Sequence, residues 1–145
     1  MNICIINGSV FGAAEELAKS VATSLSKQSH KVRLKFPASC SDMEGADAIL
    51  IITSTTGQGD LPNNLKPFFL AARETMPQLS GKPFGIIALG DSSYQYFAGA
   101  GDKMQTLMFE LQGKEALPML KVDATETLDP ESLAAPWLTQ WLSKL

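Results

Sequence analysis

The amino-acid sequence predicts an open α/β fold of three layers: a five-stranded parallel sheet in the order 2-1-3-4-5, with helices on both faces. Two observations lead there. Strand-like apolar runs alternate with amphipathic helical segments from end to end, the pattern of βα units and a parallel sheet. The strands also differ in quality. The first, third and fourth are apolar throughout, as strands covered on both faces are, whereas the second and fifth carry charges or a proline.

Each element follows from its own pattern. Residues 2–7 are an apolar strand, followed by a helix over 12–28 with Ala14, Leu17, Ala18, Val21 and Leu25 on one face. Lys31 to Phe36 alternates polar and apolar, a half-exposed second strand. Continuous apolar runs over 46–53 and 84–89 are the third and fourth strands. Helices are predicted over 64–76 and 101–112, the latter with Met104, Leu107, Met108 and Leu111 on one side. A weak fifth strand over 116–122 is interrupted by Pro118. The last helix is predicted to begin at Pro136, as its first residue, and to bury Trp137, Leu138, Trp141 and Leu142. Lys31, Arg33 and Lys35 suit a sheet edge, as does Pro118, because both blunt pairing with other chains. A dinucleotide-binding order would bury the second strand, which its charges resist.

Composition narrows the class. With 145 residues, 1–145 reads as one domain able to bury a full core. An apolar share of 45% and a charged share of 19% are those of a globular chain. A net charge of −3 without a Lys/Arg cluster excludes a strongly basic nucleic-acid binder. No apolar run approaches the ~18 residues of a membrane span. Met1 to Ile6 reads as a strand rather than a signal peptide, so the cytoplasm is the expected compartment. Cys4 and Cys40 make neither a disulfide framework nor a metal site. His30 just past a helix end and the paired Trp137 and Trp141 read as structural.

In an open α/β sheet, ligands sit beyond the carboxyl ends of the strands. Three loops leave that rim here. The first, Gly8-Ser9-Val10-Phe11-Gly12-Ala13-Ala14, places two glycines before a helix N-terminus, so free amides point at an anion. It is neither a Walker A loop nor GxGxxG, which disfavours a nucleoside triphosphate or a dinucleotide. The second is Ser54-Thr55-Thr56-Gly57-Gln58-Gly59-Asp60, a polar turn before a proline-initiated helix. The third runs Leu89-Gly90-Asp91-Ser92-Ser93-Tyr94-Gln95-Tyr96-Phe97-Ala98, where a Gly-Asp turn leads into three aromatics with flat faces for a planar ligand. Each loop alone is an ordinary turn; three on one rim mark a binding site. A phosphorylated receiver domain would need acidic residues after the first strand and an Asp ending the third. Asn7-Gly8-Ser9 and Thr53-Ser54 stand there instead.

Gly90-Asp91-Ser92-Ser93-Tyr94-Gln95-Tyr96-Phe97 carries a resemblance. The chain is similar over essentially its whole length to the short-chain flavodoxins, above all the MioC/YqcA-type group. Flavodoxin is the standard example of the strand order predicted above. The resemblance implies a non-covalently bound FMN and one-electron carriage by a monomer, from an NAD(P)H-dependent flavodoxin reductase to a redox acceptor enzyme. It implies that residues 8–14 hold the phosphate and that 54–59 and 89–98 hold the isoalloxazine. Tyr94 would stack on the ring, Asp91 would lie near its pyrimidine edge, and the Gly57–Gln58 peptide would turn toward flavin N5. Flavodoxin phosphate loops present three hydroxyls, matching Ser9, Phe11 and Ala14, of which only Ser9 remains. Thr56 stands where many members place a second aromatic. The rim is expected to be acidic, with Asp60, Asp91, Asp102 and Glu15. The alternative reading is a small FMN-dependent reductase of quinone or nitro compounds. No His, Cys or second carboxylate is expected to converge on the rim to move protons, which favours a carrier.

Overall fold

A computed structural model describes residues 1–126 and 129–145. Four parallel strands form its centre: β1 (Asn2–Gly8), β2 (Lys31–Leu34), β3 (Ala48–Ser54) and β4 (Pro83–Gly90). They lie in the order β2-β1-β3-β4, as expected from the charge pattern. The outer edge of β4 is lined by two short strands, β5 (Lys114–Glu115) and β6 (Leu120–Asp123). Of the fifth strand expected over 116–122, only the end from Leu120 is strand, and the two-residue β5 lies before its expected start. Pro118 has no N–H for the ladder, and its carbonyl instead accepts the Trp137 indole N–H at 2.9 Å.

The helices are α1 (Ala13–Lys27), α2 (Lys66–Thr75), α3 (Gly99–Glu110) and α4 (Pro130–Ser143). The last begins at Pro130 and not at Pro136. Both prolines are compatible with a first helical turn, but Pro136 sits inside the helix, where the carbonyl of Ser132 four residues back receives no N–H from it. Successive strand residues point to opposite faces. Ile49, Ile51 and Ile86 pack with Phe68, Met104 and Met108 on the α2/α3 side. Ile3, Ile5, Leu50 and Ile52 pack with Leu17, Val21 and Trp141 on the α1/α4 side. Trp137 and Trp141 stack 6.2 Å apart at an interplanar angle of 9° and lie against Gly85, where a side chain would run into both indoles.

Register aligns the strand ends. Gly8 pairs with Thr53, Ser54 with Leu89, and Gly90 with Asp123, so four chain segments leave the sheet at one rim. Among the described residues no helix is long and apolar enough to cross a membrane.

Candidate functional site

Beyond that rim lies a cleft of about 670 Å³. Phe11 and Ala13 line it from the first loop, Ser54, Thr55 and Gly57 from the second. Leu89, Gly90, Asp91, Tyr94, Tyr96 and Phe97 line it from the third. The wall is completed by Glu16, Leu17 and Ser20 of α1, and by Val122, Ala124, Asp129, Pro130 and Glu131 from β6 to the start of α4. Sequence reasoning missed this last group, because no spacing in the chain brings Val122, Ala124 and residues 129–131 beside the first helix.

The first loop is tied down from beneath. Asn7 is fully buried, and its Nδ2 donates to the carbonyls of Ala14 (3.0 Å) and Ile52 (2.8 Å). Asn64 acts as a surrogate strand: its Oδ1 accepts the Ser9 N–H at 3.0 Å and its Nδ2 donates to the Ser9 carbonyl at 2.7 Å. The Val10 N–H donates to Ser54 Oγ at 3.1 Å, joining the first two loops. Ser9 is buried, and its Oγ accepts the Gly12 N–H at 2.9 Å. Ser9 is thus a loop brace off the cleft wall, as are the buried Gly8 and Ala14; Val10 and Gly12 also lie off it. Gly12 caps α1 at φ +91°, a conformation that favours glycine, with open space around its Cα. The N–H groups of Phe11, Ala13, Ala14 and Glu15 find no acceptor among the described residues. Free amides at a helix N-terminus form an anion cradle.

The other end is built by close backbone packing. Thr56 and Asp60 exchange N–H···O bonds of 3.0 Å, and the Gly59 N–H donates to the Thr56 carbonyl at 2.8 Å. The hairpin thus formed turns Thr56 and Gln58 off the cleft wall, while Gly57 stays on it at φ +21°. Gly59 is also off the wall, pressed between Tyr96 and Gly99: a Cβ on Gly59 would lie 2.5 Å from Tyr96 Cβ, and one on Gly99 2.6 Å from Gly59 Cα. Gly90 faces the carbonyl of Phe97 so closely that a methyl there would run into it. Ala98 lies buried under the loop at the start of α3. Tyr94 and Tyr96 are 59% and 51% exposed, and both line the cleft.

Two acids shape this loop. Asp91 accepts the Ser93 N–H at 2.9 Å and the Ser93 hydroxyl at 2.6 Å. Asp123, missed by the sequence reading, is buried at the end of β6 and accepts the Ser92 N–H at 3.1 Å, the Thr125 N–H at 2.9 Å and the Thr125 hydroxyl at 2.8 Å. Hydrogen bonding with Ser92 outweighs the opposing effect of burial, Thr125 adds to it, and the carboxyl is held down at about 2.

The expected acidic rim is corrected in part. Asp60 lies 3.1 Å from Lys103 Nζ, Glu15 lies 3.6 Å from Lys19 Nζ, and Asp60 and Asp102 face a separate groove between α2 and α3. The acids on the cleft are Glu16, Asp91, Asp129 and Glu131. The expectation of no second carboxylate there is overturned by the packing of α1 and the start of α4 against the rim. No Lys, Arg, His or Cys joins these acids among the described lining residues. Burial pushes the Cys4 thiol up to about 12 and raises that of Cys40. His30 stands by the N-terminus, its Nδ1 3.4 Å from the Met1 nitrogen. Among the described residues no His, Cys, Asp or Glu cluster could hold a metal ion.

The family model of the flavodoxins matches residues 5–137. Flavodoxin YqcA of Escherichia coli is 35% identical over 141 residues, covering 96% of this chain and 95% of its own. The MioC homolog of Pasteurella multocida is 36% identical over 143 residues, covering 99% and 97%. The solved structure of a cysteine-to-serine variant of flavodoxin from Pseudomonas aeruginosa superposes with a TM-score of 0.94 at 42% identity, covering 100% of this chain and 99% of that one. The chain belongs to the flavodoxin family, in its short-chain MioC/YqcA-type group. It is an FMN-binding electron carrier. The cleft fits that group, with four unclaimed amides at one end and aromatic side chains at the other. Bound there, FMN supplies reversible electron exchange.

Proposed function

We propose that this protein is a shuttle without turnover of its own, reduced by a separate NAD(P)H-dependent flavodoxin reductase and oxidised by an acceptor enzyme, working as a cytoplasmic monomer. The amides of Phe11, Ala13, Ala14 and Glu15 hold the FMN phosphate; Tyr94 and the Ser54–Gly57 segment hold the ring. The observation that carries this reading is the convergence of three loops on one cleft whose described walls hold no Lys or Arg. A stand-alone reductase needs contacts for the phosphates of a nicotinamide dinucleotide, which Lys or Arg would supply. Here the residues can bind, orient and exclude water, which suffices for a carrier. The exposed acids Glu16 and Glu131 lie on the rim where a basic partner would dock.

The test is direct. The FMN-loaded protein mixed with NADPH and a quinone should stay oxidised and consume no NADPH, until a flavodoxin reductase is added. That relayed reduction should slow with added salt, since exposed charges are screened within ~10 Å at 0.1 M. Turnover by the isolated protein would move it to the small FMN-dependent reductases of quinone or nitro compounds.

A further inference from the structure

We propose that the cleft recognises the ring and sugar-alcohol chain of its flavin far more than the phosphate, so that riboflavin binds within about tenfold of FMN. This rests on the FMN reading of the same site.

A phosphate dianion has three terminal oxygens to satisfy, and charge-assisted hydrogen bonds to hydroxyls or cations are the strong way of doing so. The loop at α1 provides little of either. Its one hydroxyl, on Ser9, is buried and engaged with the Gly12 N–H. The side chain that reaches out of the loop is Phe11, 98% exposed, with no polar atom to offer. What remains is the set of free amides and the positive end of α1. That end already has two carboxylates in its own first turn, Glu15 and Glu16. Glu15 pairs with Lys19, whereas Glu16 faces the cleft with no ion pair among the described residues. Glu131 faces the same cleft from the start of α4, and no described cation lines it. An incoming dianion therefore meets like charge around the cradle meant to hold it.

The features that serve the ring and polyol are intact. Ser54 and Thr55 line the cleft with hydroxyls that accept the Val10 and Ala100 N–H groups at 3.1 and 3.4 Å and keep a proton each to donate. Tyr94 and Tyr96 line the same cleft. Riboflavin retains every group these residues recognise and brings no charge.

Titration of the full-length apoprotein with riboflavin and with FMN, followed by quenching of flavin fluorescence, decides it. Dissociation constants within about tenfold are expected. Glu16→Gln should tighten FMN by about two- to fivefold and leave riboflavin unchanged, because one exposed like-charge neighbour is removed. Added salt should likewise tighten FMN and not riboflavin in the parent protein. A preference for FMN beyond tenfold, or an FMN-to-riboflavin ratio that Glu16→Gln does not move, overturns the proposal. Failure of both flavins to bind would overturn the flavin reading itself.

Discussion

The two ends of the cleft are made by opposite means. At the ring end, three glycines bring backbone against backbone: Gly90 meets the Phe97 carbonyl, and Gly59 and Gly99 meet each other beside Tyr96. At the end proposed to hold the phosphate, side-chain amides do the work, with Asn7 and Asn64 fastening a loop where a Cβ on Gly12 would meet nothing within 4 Å and Phe11 is 98% exposed. Close packing fixes a flat slot rigidly, because neighbouring backbones cannot yield without moving whole strands. Tethering by amides leaves a loop in place but open. The ring end is therefore the demanding one, where small changes in volume should be felt most.

The largest effect should come from adding one methyl group at each end. Gly90→Ala drives a Cβ into a backbone carbonyl, and overpacking of that kind costs about 1–3 kcal/mol or more. A loss of ~3 kcal/mol would lower the melting temperature by about 6–12 °C for a chain of this size, and FMN binding should fall with it. Gly12→Ala meets no atom and carries only the penalty of a left-handed residue, about 1–2 kcal/mol. Thermal unfolding of both variants checks the contrast, which fails if Gly12→Ala is the more damaging.

Next in size is the ring face. Tyr94 is 59% exposed, so Tyr94→Ala should barely alter folding but should weaken FMN by about tenfold, the value of one aromatic stack. Tyr96→Ala keeps the Cβ that lies beside Gly59 and loses only a half-exposed ring, so it should do less. Fluorescence titrations alongside melting curves separate the two. A Tyr94→Ala protein with unchanged FMN affinity would place the ring elsewhere.

What could be read from the chain, and what could not, follows the same division. The central strands were legible because β3 and β4 are covered on both faces and so are apolar at every position, from Ile49 to Ile52 and from Phe84 to Leu89. The edges were legible from Lys31, Arg33 and Pro118. The start of α4 was misplaced because two prolines, Pro130 and Pro136, both satisfy the preference for a first turn, and only packing chooses between them. The three loops of the site could be located, since each follows a strand. Their inner supports could not. Asn64 reaches Ser9 across 55 residues, and Asp123 reaches Ser92 across 31, contacts that no local pattern encodes. The acidic rim was misjudged for a related reason: Asp60 meets Lys103 only once α3 is docked.

Asp123 offers a smaller effect that depends on pH. Its carboxyl titrates near 2 in the folded protein, below the ordinary range near ~3.9. A depressed value means that its contribution to stability is present above the ordinary range and is lost as pH falls toward 2. Asp123→Asn should remove this part of the acid dependence. The variant should be less stable than the parent near neutral pH and converge with it as pH falls toward 2, its amide oxygen still able to accept the Ser92 and Thr125 N–H groups. Urea midpoints between pH 6 and about 2 test it. Parallel pH profiles for the parent and Asp123→Asn would show that the carboxylate does not anchor the loop.

The smallest effect should be read in redox chemistry. Gly57 lies on the cleft wall at φ +21°, inside a hairpin closed by the two Thr56–Asp60 bonds, and a Cβ there would touch nothing within 4 Å. Gly57→Ala is therefore a purely conformational change: it leaves volume and contacts alone and restricts the 57–58 peptide. If that peptide must turn its carbonyl toward the cleft when the flavin takes up its first electron and proton, alanine opposes the turn by about 1–2 kcal/mol, as much as a hydrogen bond contributes. The first reduction potential should then fall by about 40–80 mV, while the second, which needs no further turn, changes less. Because φ at Gly57 is already +21°, alanine should also lower the melting temperature by about as much as Gly12→Ala does, with no clash of the Gly90→Ala kind. A stepwise dithionite titration of each oxidised protein reads both potentials. Equal shifts in the two would assign the effect to binding, and no shift at all would leave the 57–58 peptide without a part in setting the potential.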